Sequence, residues 1–251
     1  MNKFNTLYFD LLLEQIDNSA DVIICNSNDD MQHTVQKYFK EYYNDPNNLR
    51  TIKTGHSEES GEPVYEKSTC WCDYLSDDIP HLTYVREEFN WYSSHSNEKW
   101  VYFIILSEGH LIGMLKYWFE SSSEQYPCIG FISVNDLYKH KGYGIKLLDA
   151  TFKYHKNRFP NEPLIITDFS EEGQQYIKHI CERLSKKYDV GIFTTDDYRD
   201  YYRQQMYSNS SMYNSTLNPK KFEFDVPDKI KKDVQLRVQQ VKQQGKQYAA
   251  V

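Results

Sequence analysis

The chain has 251 residues, a formal net charge of -7 and a hydrophobic content of 39%, which indicate one large domain or one medium-sized domain with additions. No apolar run in the sequence approaches the ~18 residues that a transmembrane helix needs, so no membrane span is predicted. The acidic balance argues against an extended nucleic-acid surface, because such surfaces neutralise phosphates with Lys and Arg.

The N-terminal segment, residues 1–20, is predicted to form a first helix rather than a secretion signal. It carries Asp10 and Glu14 within its apolar patch and lacks a small-residue cleavage site. The five cysteines are an odd number scattered along the chain, as is usual in a reducing compartment, so a cytoplasmic location is predicted.

The first half of the chain shows both helical and strand patterns. We predict a strand over residues 21–27, a helix over 31–43, a long surface loop over 44–63, a helix over 81–95, and a hairpin of strands over 99–106 and 110–119. The loop is predicted because its Asn, Ser, Glu, Gly and Pro residues follow no periodicity. The hairpin is predicted because a short turn with Gly109 joins two β-branched and aromatic runs.

The second half alternates between strands and helices. We predict a strand over residues 128–134, a helix that starts near Gly144 and ends before Pro160, a strand over 163–169, a helix over 171–188, strands over 190–195 and 220–226, and an amphipathic, locally basic helix over 229–246. Such alternation favours an α/β fold with a sheet of mixed direction.

Cys70 and Cys72, together with His56 and His81, are the residues to consider as zinc ligands. Their spacing does not match the usual knuckle of structural zinc sites, and the eight histidines contain no H-E-x-x-H pair. We therefore predict that the protein uses no metal.

The junction between the 128–134 strand and the next helix contains two glycines one residue apart, Gly142 and Gly144. A helix N-terminus offers unpaired N–H groups and the positive end of the helix dipole. Glycine removes the β-carbons that would hold a diphosphate off the backbone, while Lys139, His140 and Lys141 add donors or positive charge. The turn is a candidate phosphate site, and a tight strand-to-helix turn without a ligand is the alternative.

Two common phosphate motifs do not account for this turn. The Walker pattern G-x-x-x-x-G-K-[ST] is absent from the sequence, and G-x-G-x-x-G fails because Leu147 stands where the third glycine belongs. Neither a nucleoside triphosphatase nor a dinucleotide-binding fold is supported.

Residues 139–144, KHKGYG, follow a strand and open a helix, and in this they resemble the acetyl-CoA signature [QR]-x-x-G-x-[GA] of the GNAT superfamily of N-acetyltransferases. Ile145, Leu147 and Leu148 stand where that family has its aliphatic helix face. Lys139 replaces the family's Gln or Arg, which keeps a donor but loses the planar fork of arginine.

The resemblance implies a GNAT-like α/β fold, with a mixed, mostly antiparallel sheet, a splayed central strand pair and flanking helices. It assigns this acetyltransferase domain to residues 21–205. Residues 1–20 and the extension 206–251, predicted to hold a strand and the basic helix, are additions to the family core.

The resemblance also implies acetyl-CoA as the co-substrate. It assigns the phosphates to Lys139, His140, Lys141, Gly142, Tyr143, Gly144 and Ile145, and the pantetheine arm to the backbone of Ile132, Ser133 and Val134. A backbone N–H at the splay would polarise the thioester carbonyl, so no covalent intermediate is needed.

Amine acylation requires a group that protonates the departing thiolate and a group that takes the ammonium proton. Tyr176 is the candidate acid, because many family members place a tyrosine near the sulfur from this helix. Glu120 and Asp168 are the candidate bases, and a water chain is an alternative. A tyrosine packed in the core and ordinary surface carboxylates are the corresponding structural interpretations.

The acceptor site is expected in the first half of the chain. Acidic pairs at Asp77 and Asp78 and at Glu87 and Glu88 would attract cationic amines, whereas Trp71, Trp91 and Tyr92 could line an apolar pocket or lie in the core.

We therefore predict an acetyl-CoA-dependent N-acetyltransferase that acylates an amine of a small molecule or protein, and a homodimer is left open. The alternative is a GNAT-fold module without turnover that binds a protein partner. An acetyltransferase toxin that modifies charged tRNA is disfavoured by the acidic balance.

Overall fold

The computed structural model describes residues 20–27, 30–31, 33–35, 37–38, 50–56, 60, 63–68, 99–120, 126–167, 169, 171–207 and 222–248. The chain divides into two units, of which the first comprises Met1–Ser123 and Gly130–Thr151 and the second comprises Glu124–Ile129 and Phe152–Val251. The helix predicted over 81–95 and almost all of that predicted over 1–20 lie outside the described residues, as do the predicted acceptor residues and the pair Cys70 and Cys72.

Eight strands are present among the described residues. They are β1 (Ile23–Cys25), β2 (Arg50–His56), β3 (Pro63–Ser68), β4 (Lys99–Ser107), β5 (His110–Glu120), β6 (Cys128–Val134), β7 (Leu164–Ile166) and β8 (Ile192–Thr194). Six of them form one sheet in the order β1-β4-β5-β6-β7-β8. The pairs β1/β4 and β4/β5 are antiparallel, whereas β6/β7 and β7/β8 are parallel. The mixed α/β architecture predicted from the sequence is confirmed.

The β4–β5 hairpin closes through Glu108 and Gly109, which both have positive φ angles, of 50° and 75°. Two successive left-handed residues match the right-handed twist of the flanking strands, and this is the turn that short hairpins prefer. The hairpin predicted around Gly109 is therefore present.

Residues 44–63 contain more structure than the predicted loop, and that prediction is wrong for the second part of the segment. β2 and β3 pair as an antiparallel hairpin, from Arg50 opposite Ser68 to His56 opposite Pro63. β2 is rich in β-branched residues, namely Thr51, Ile52 and Thr54, and these favour a strand despite the polar surroundings.

Four long helices lie among the described residues. They are α1 (Tyr143–Arg158), α2 (Glu171–Tyr188), α3 (Thr195–Tyr207) and α4 (Asp228–Tyr248). Residues 30–31, 33–35 and 37–38 are also helical, in agreement with the helix predicted over 31–43. No helix within the described part of the chain is long and apolar enough to cross a membrane.

A core cluster of the first unit lies on one face of β4 and β5. Alternate side chains of β4, Trp100, Tyr102, Ile104 and Leu106, pack with Met114 of β5 and with residues of β1 and the 30–38 helical segment. Period-two alternation places these side chains on one face, so the cluster joins the hairpin to the elements at the start of the chain.

The helix α3 was not predicted from the sequence, although it carries a start signal. The amide of Asp197 donates to Thr194 Oγ1 at 3.1 Å, and Asp196 and Asp197 lie in the first turn. A threonine cap followed by acidic residues is typical of a helix start.

The strand predicted over 220–226 is not present in residues 222–227, which form no strand. The backbone N–H of Glu223 donates to the buried carboxylate of Asp197 at 2.7 Å, so this amide is not available to a strand ladder. The ring of Phe222 packs against Phe193 and Tyr201, with ring centroids 5.7 and 5.9 Å away. Side-chain anchoring replaces strand pairing here.

The predicted basic helix is α4, and it packs within the second unit. Ile230, Val234 and Val238 are buried along one stripe, as their spacing predicts. The hydroxyl of Tyr126, just before β6, donates to Asp233 Oδ2 at 2.7 Å. The helix is thus anchored by both an apolar stripe and a hydrogen bond.

Candidate functional site: the strand–turn–helix junction after β6

β6 ends in a turn that is fixed by Asn135. This residue is 4% exposed, its backbone N–H donates to Ile112 O at 2.9 Å, and its Oδ1 accepts from the N–H of Leu137 at 3.0 Å. An asparagine that caps the next residues in this way starts a turn. The chain therefore leaves the sheet directly into a short 3₁₀ helix, Asp136–Tyr138.

The loop between this turn and α1 uses two left-handed residues, His140 with φ 61° and Gly142 with φ 84°. Glycine adopts this conformation without steric cost, whereas a residue with a β-carbon loses ~1–2 kcal/mol. The first helical bond of α1 joins Lys146 N to Gly142 O at 3.1 Å. Gly142 is therefore the residue at which the backbone turns into the helix.

The first turn of α1 presents amides that have no hydrogen-bond acceptor among the described residues. The N–H groups of Gly144 and Ile145 have no acceptor within a helix that starts at Tyr143. Within the described residues no side chain caps them, and the first turn contains no acidic residue. A β-carbon on Gly144 would meet nothing closer than Val134 Cγ2 at 3.7 Å. This arrangement suits a bound anion such as a diphosphate.

The two lysines of the loop differ in their surroundings. Lys139 Nζ lies 2.9 Å from Asp136 Oδ1, so its charge is partly neutralised by the protein itself. Lys141 is exposed, with its Nζ 4.9 Å from the ring centroid of Tyr138, and no carboxylate of the described residues pairs with it. Tyr138 in turn packs against Tyr143, with ring centroids 6.1 Å apart. Of these two lysines, Lys141 is therefore the one whose charge is available to a phosphate.

The β6 residues that precede the turn lie against α1. Val134 Cγ2 and Ser133 O would be 3.4 and 3.2 Å from a β-carbon on Gly113, and Leu147 Cδ1 would be 3.0 Å from it. The missing side chain at Gly113 lets β5, β6 and α1 approach closely. Ile132, Ser133 and Val134 are all partly exposed.

The predicted cofactor residues thus lie on one continuous segment, from Ile132 to Ile145, within the first unit. The three predicted catalytic residues lie on other parts of the chain. Tyr176 is 54% exposed on α2, the side chain of Glu120 and the whole of Asp168 lie outside the described residues, and their roles stay predictions.

Cysteine chemistry is not supported by the buried thiols. Burial raises the pKa of Cys181 to about 12 and that of Cys25 to about 11. Both are therefore neutral near pH 7, and a neutral thiol is a poor nucleophile.

Three residues around the loop were not singled out from the sequence. Asn135 fixes the turn, Asp136 pairs with Lys139, and Tyr138 packs against Lys141. The dipeptide Asn135–Asp136 at a strand end is a turn signal and could have been recognised, whereas the pairings depend on the 3₁₀ geometry.

Comparison with known proteins bears on the part of the chain that contains this junction. Residues 65–168 match the model of the acetyltransferase (GNAT) family, and the resemblance recognised from KHKGYG is confirmed. The search of curated proteins found no match. A solved structure described as a transcriptional regulator from Bacillus halodurans C-125 is similar at 13% identity over 64% of this chain and 91% of that chain, with a TM-score of 0.34, a likeness too weak to bear on function.

Proposed function

We propose that the protein is an acetyl-CoA-dependent N-acetyltransferase that transfers an acetyl group directly to an amine of a small molecule or protein. The observation that carries the proposal is the helix start at Gly142, where the amides of Gly144 and Ile145 are uncapped inside a segment that matches the GNAT family. Uncapped amides at a glycine turn are the feature that a diphosphate requires.

The residues present fit the cofactor. Residues 139–145 would hold the diphosphate through backbone amides and Lys141. The backbone of the partly exposed residues Ile132, Ser133 and Val134 would pair with the pantetheine arm. Bound acetyl-CoA supplies an activated thioester. The described residues contain no group of three or more His, Cys, Asp or Glu side chains suited to a metal, and the proposal invokes none.

The proposed chemistry uses one acid and one base. Tyr176 donates a proton to the departing sulfur, and its exposure on α2 is compatible with contact to a ligand. Glu120 or Asp168 takes the proton from the acceptor amine. The proposal invokes no covalent intermediate, and the acetyl group passes directly to the amine. We place the reaction in the cytoplasm.

Two measurements test the proposal in sequence. Saturating acetyl-CoA should stabilise the protein by ~2.7 kcal/mol at a concentration about 100 times its Kd, which thermal unfolding detects. Thiol release with a panel of polyamines, aminoglycosides and lysine peptides then measures turnover. Absence of stabilisation at millimolar acetyl-CoA refutes the proposal, and stabilisation without thiol release for any acceptor indicates a binding module instead.

A further inference from the structure

Trp118 of β5 occupies the space beside Gly130 of β6. A β-carbon on Gly130 would lie 2.4, 2.7 and 3.0 Å from Cζ3, Cη2 and Cε3 of the indole. All three atoms belong to the six-membered ring of Trp118, and real β-carbons do not approach other atoms this closely. Glycine at position 130 is therefore required by the indole.

The indole is held by packing rather than by a hydrogen bond. Lys116 is 1% exposed, and its Nζ lies 5.4 Å from the ring centroid of Trp100 and 5.5 Å from that of Trp118, within range of a cation–π interaction. Trp118 Nε1 is buried and has no hydrogen-bond partner, a statement that covers the described side chains.

The position of the ring affects the path of β6. Gly130 points toward Trp118, and the next residue, Phe131, packs against the same core cluster as Trp118. The contacts of Gly130 and Phe131 thus hold β6 at two successive residues. The register of β4 against β5 also shifts beside this ring, since Trp100 lies opposite Trp118 whereas Lys99 lies opposite Glu120. Beyond this point Val134 lies against Gly144 in the first turn of α1. The packing at Gly130 and Phe131 therefore fixes β6 just before the residues that lead into α1.

We propose that Trp118 is a positioning residue, a wedge that fixes β6 so that the backbone of Ile132, Ser133 and Val134 faces the pantetheine arm of acetyl-CoA. This inference rests on the proposed function. Trp118 contacts Gly130, which lies two residues before Ile132. The phosphate loop, residues 139–145, is fixed by Asn135 and Gly142 instead. The wedge therefore acts on the backbone of residues 132–134 and not on the loop.

The test compares two probes that use different parts of the site. Acetyl-CoA would contact both the backbone of residues 132–134 and the loop of residues 139–145, whereas 3′,5′-ADP would contact the loop alone. Trp118→Phe removes the atoms that contact Gly130, and we expect it to weaken acetyl-CoA about tenfold, as for the loss of one or two backbone hydrogen bonds. Its affinity for 3′,5′-ADP should change less than about twofold.

Controls separate the wedge from general damage to the fold. Trp100→Phe changes the other aromatic ring that Lys116 contacts, but it does not change the atoms nearest Gly130. It should therefore leave both affinities unchanged. Gly130→Ala should behave like Trp118→Phe, and the double variant Gly130→Ala/Trp118→Phe should recover acetyl-CoA affinity, because the new methyl group fills the space that the smaller ring leaves.

Amide hydrogen exchange measures the effect on β6 in the protein without cofactor. Trp118→Phe should speed exchange in peptides that cover residues 130–134. Unchanged exchange, unchanged acetyl-CoA affinity or equal losses for both probes would overturn the wedge while leaving the proposed function intact. Failure of the wild-type protein to bind acetyl-CoA would instead overturn the proposed function and, with it, this inference.

Discussion

Replacement of Asp136 by asparagine should strengthen acetyl-CoA binding. In the free protein Asp136 Oδ1 lies 2.9 Å from Lys139 Nζ, with the lysine side chain 32% exposed and the aspartate side chain 64% exposed. A bound diphosphate must compete with this carboxylate for the lysine. The amide side chain of the Asp136→Asn variant would keep the shape of the turn but carry no charge, so Lys139 would be available to the phosphates.

The size of the effect is limited by the strength of the ion pair. Pairs as exposed as this one contribute ~0.2–1 kcal/mol, which corresponds to a gain in affinity of about 1.4- to 5-fold. The gain should shrink as salt is added, because salt screens exposed charges. Titration calorimetry with acetyl-CoA at low and high ionic strength measures both quantities.

Two controls test whether the effect of Asp136→Asn acts through Lys139. In a Lys139→Met background, Asp136→Asn should no longer improve binding, since the two substitutions act on one pair. Asp149→Asn removes the same charge further along α1 and should have a smaller effect. If Asp136→Asn leaves the affinity unchanged at low salt, or improves it equally in the Lys139→Met background, the competition between carboxylate and phosphate is refuted.

Three further predictions concern the glycine loop, the anchor of α4 and a buried histidine. Gly144→Ala should fold like the wild type, because its β-carbon would make only an ordinary contact, yet should lose acetyl-CoA affinity in a thermal-shift titration. Gly142→Ala should lose affinity and also ~1–2 kcal/mol of stability through its left-handed φ of 84°; equal stabilities of the two variants would contradict this. Tyr126→Phe should lower the free energy of unfolding by ~1.5–3 kcal/mol, because it removes the hydrogen bond to Asp233. Amide exchange in α4 should become faster, and unchanged exchange would contradict this prediction. Burial lowers the pKa of His155, so folding favours the neutral ring. The contribution of His155 to the free energy of unfolding is complete above the unfolded pKa of ~6.5 and is lost as the pH falls below that value toward the lowered folded pKa. The melting temperature of the wild type should therefore drop more than that of His155→Gln between about pH 8 and about pH 5.5, and parallel drops would show that His155 is not responsible.

Local patterns were sufficient to predict many of the helices and strands, and the glycine turn that opens α1. The period of the apolar residues predicted α1 and α2, and the paired glycines predicted the turn before α1. These signals succeed because helix periodicity and left-handed turns depend on residues close in sequence.

The remaining errors arise from contacts between distant parts of the chain. Residues 222–226 alternate like a strand, yet the carboxylate of Asp197 takes the amide of Glu223, which no local pattern reveals. The relation of Trp118 to Gly130 likewise depends on how two strands pair. The sequence predicted that glycines and basic residues lie together in the loop before α1. It did not predict that Asp136 partly neutralises Lys139.

The anchoring of α4 bears on where the protein can be shortened. The segment that matches the acetyltransferase family stops at residue 168, but the helix that supports Tyr126 begins at Asp228. A gene fragment that ends at the family boundary would remove the acceptor for this hydroxyl and the apolar stripe of Ile230, Val234 and Val238. Recombinant versions intended for enzymology should therefore extend at least to Tyr248.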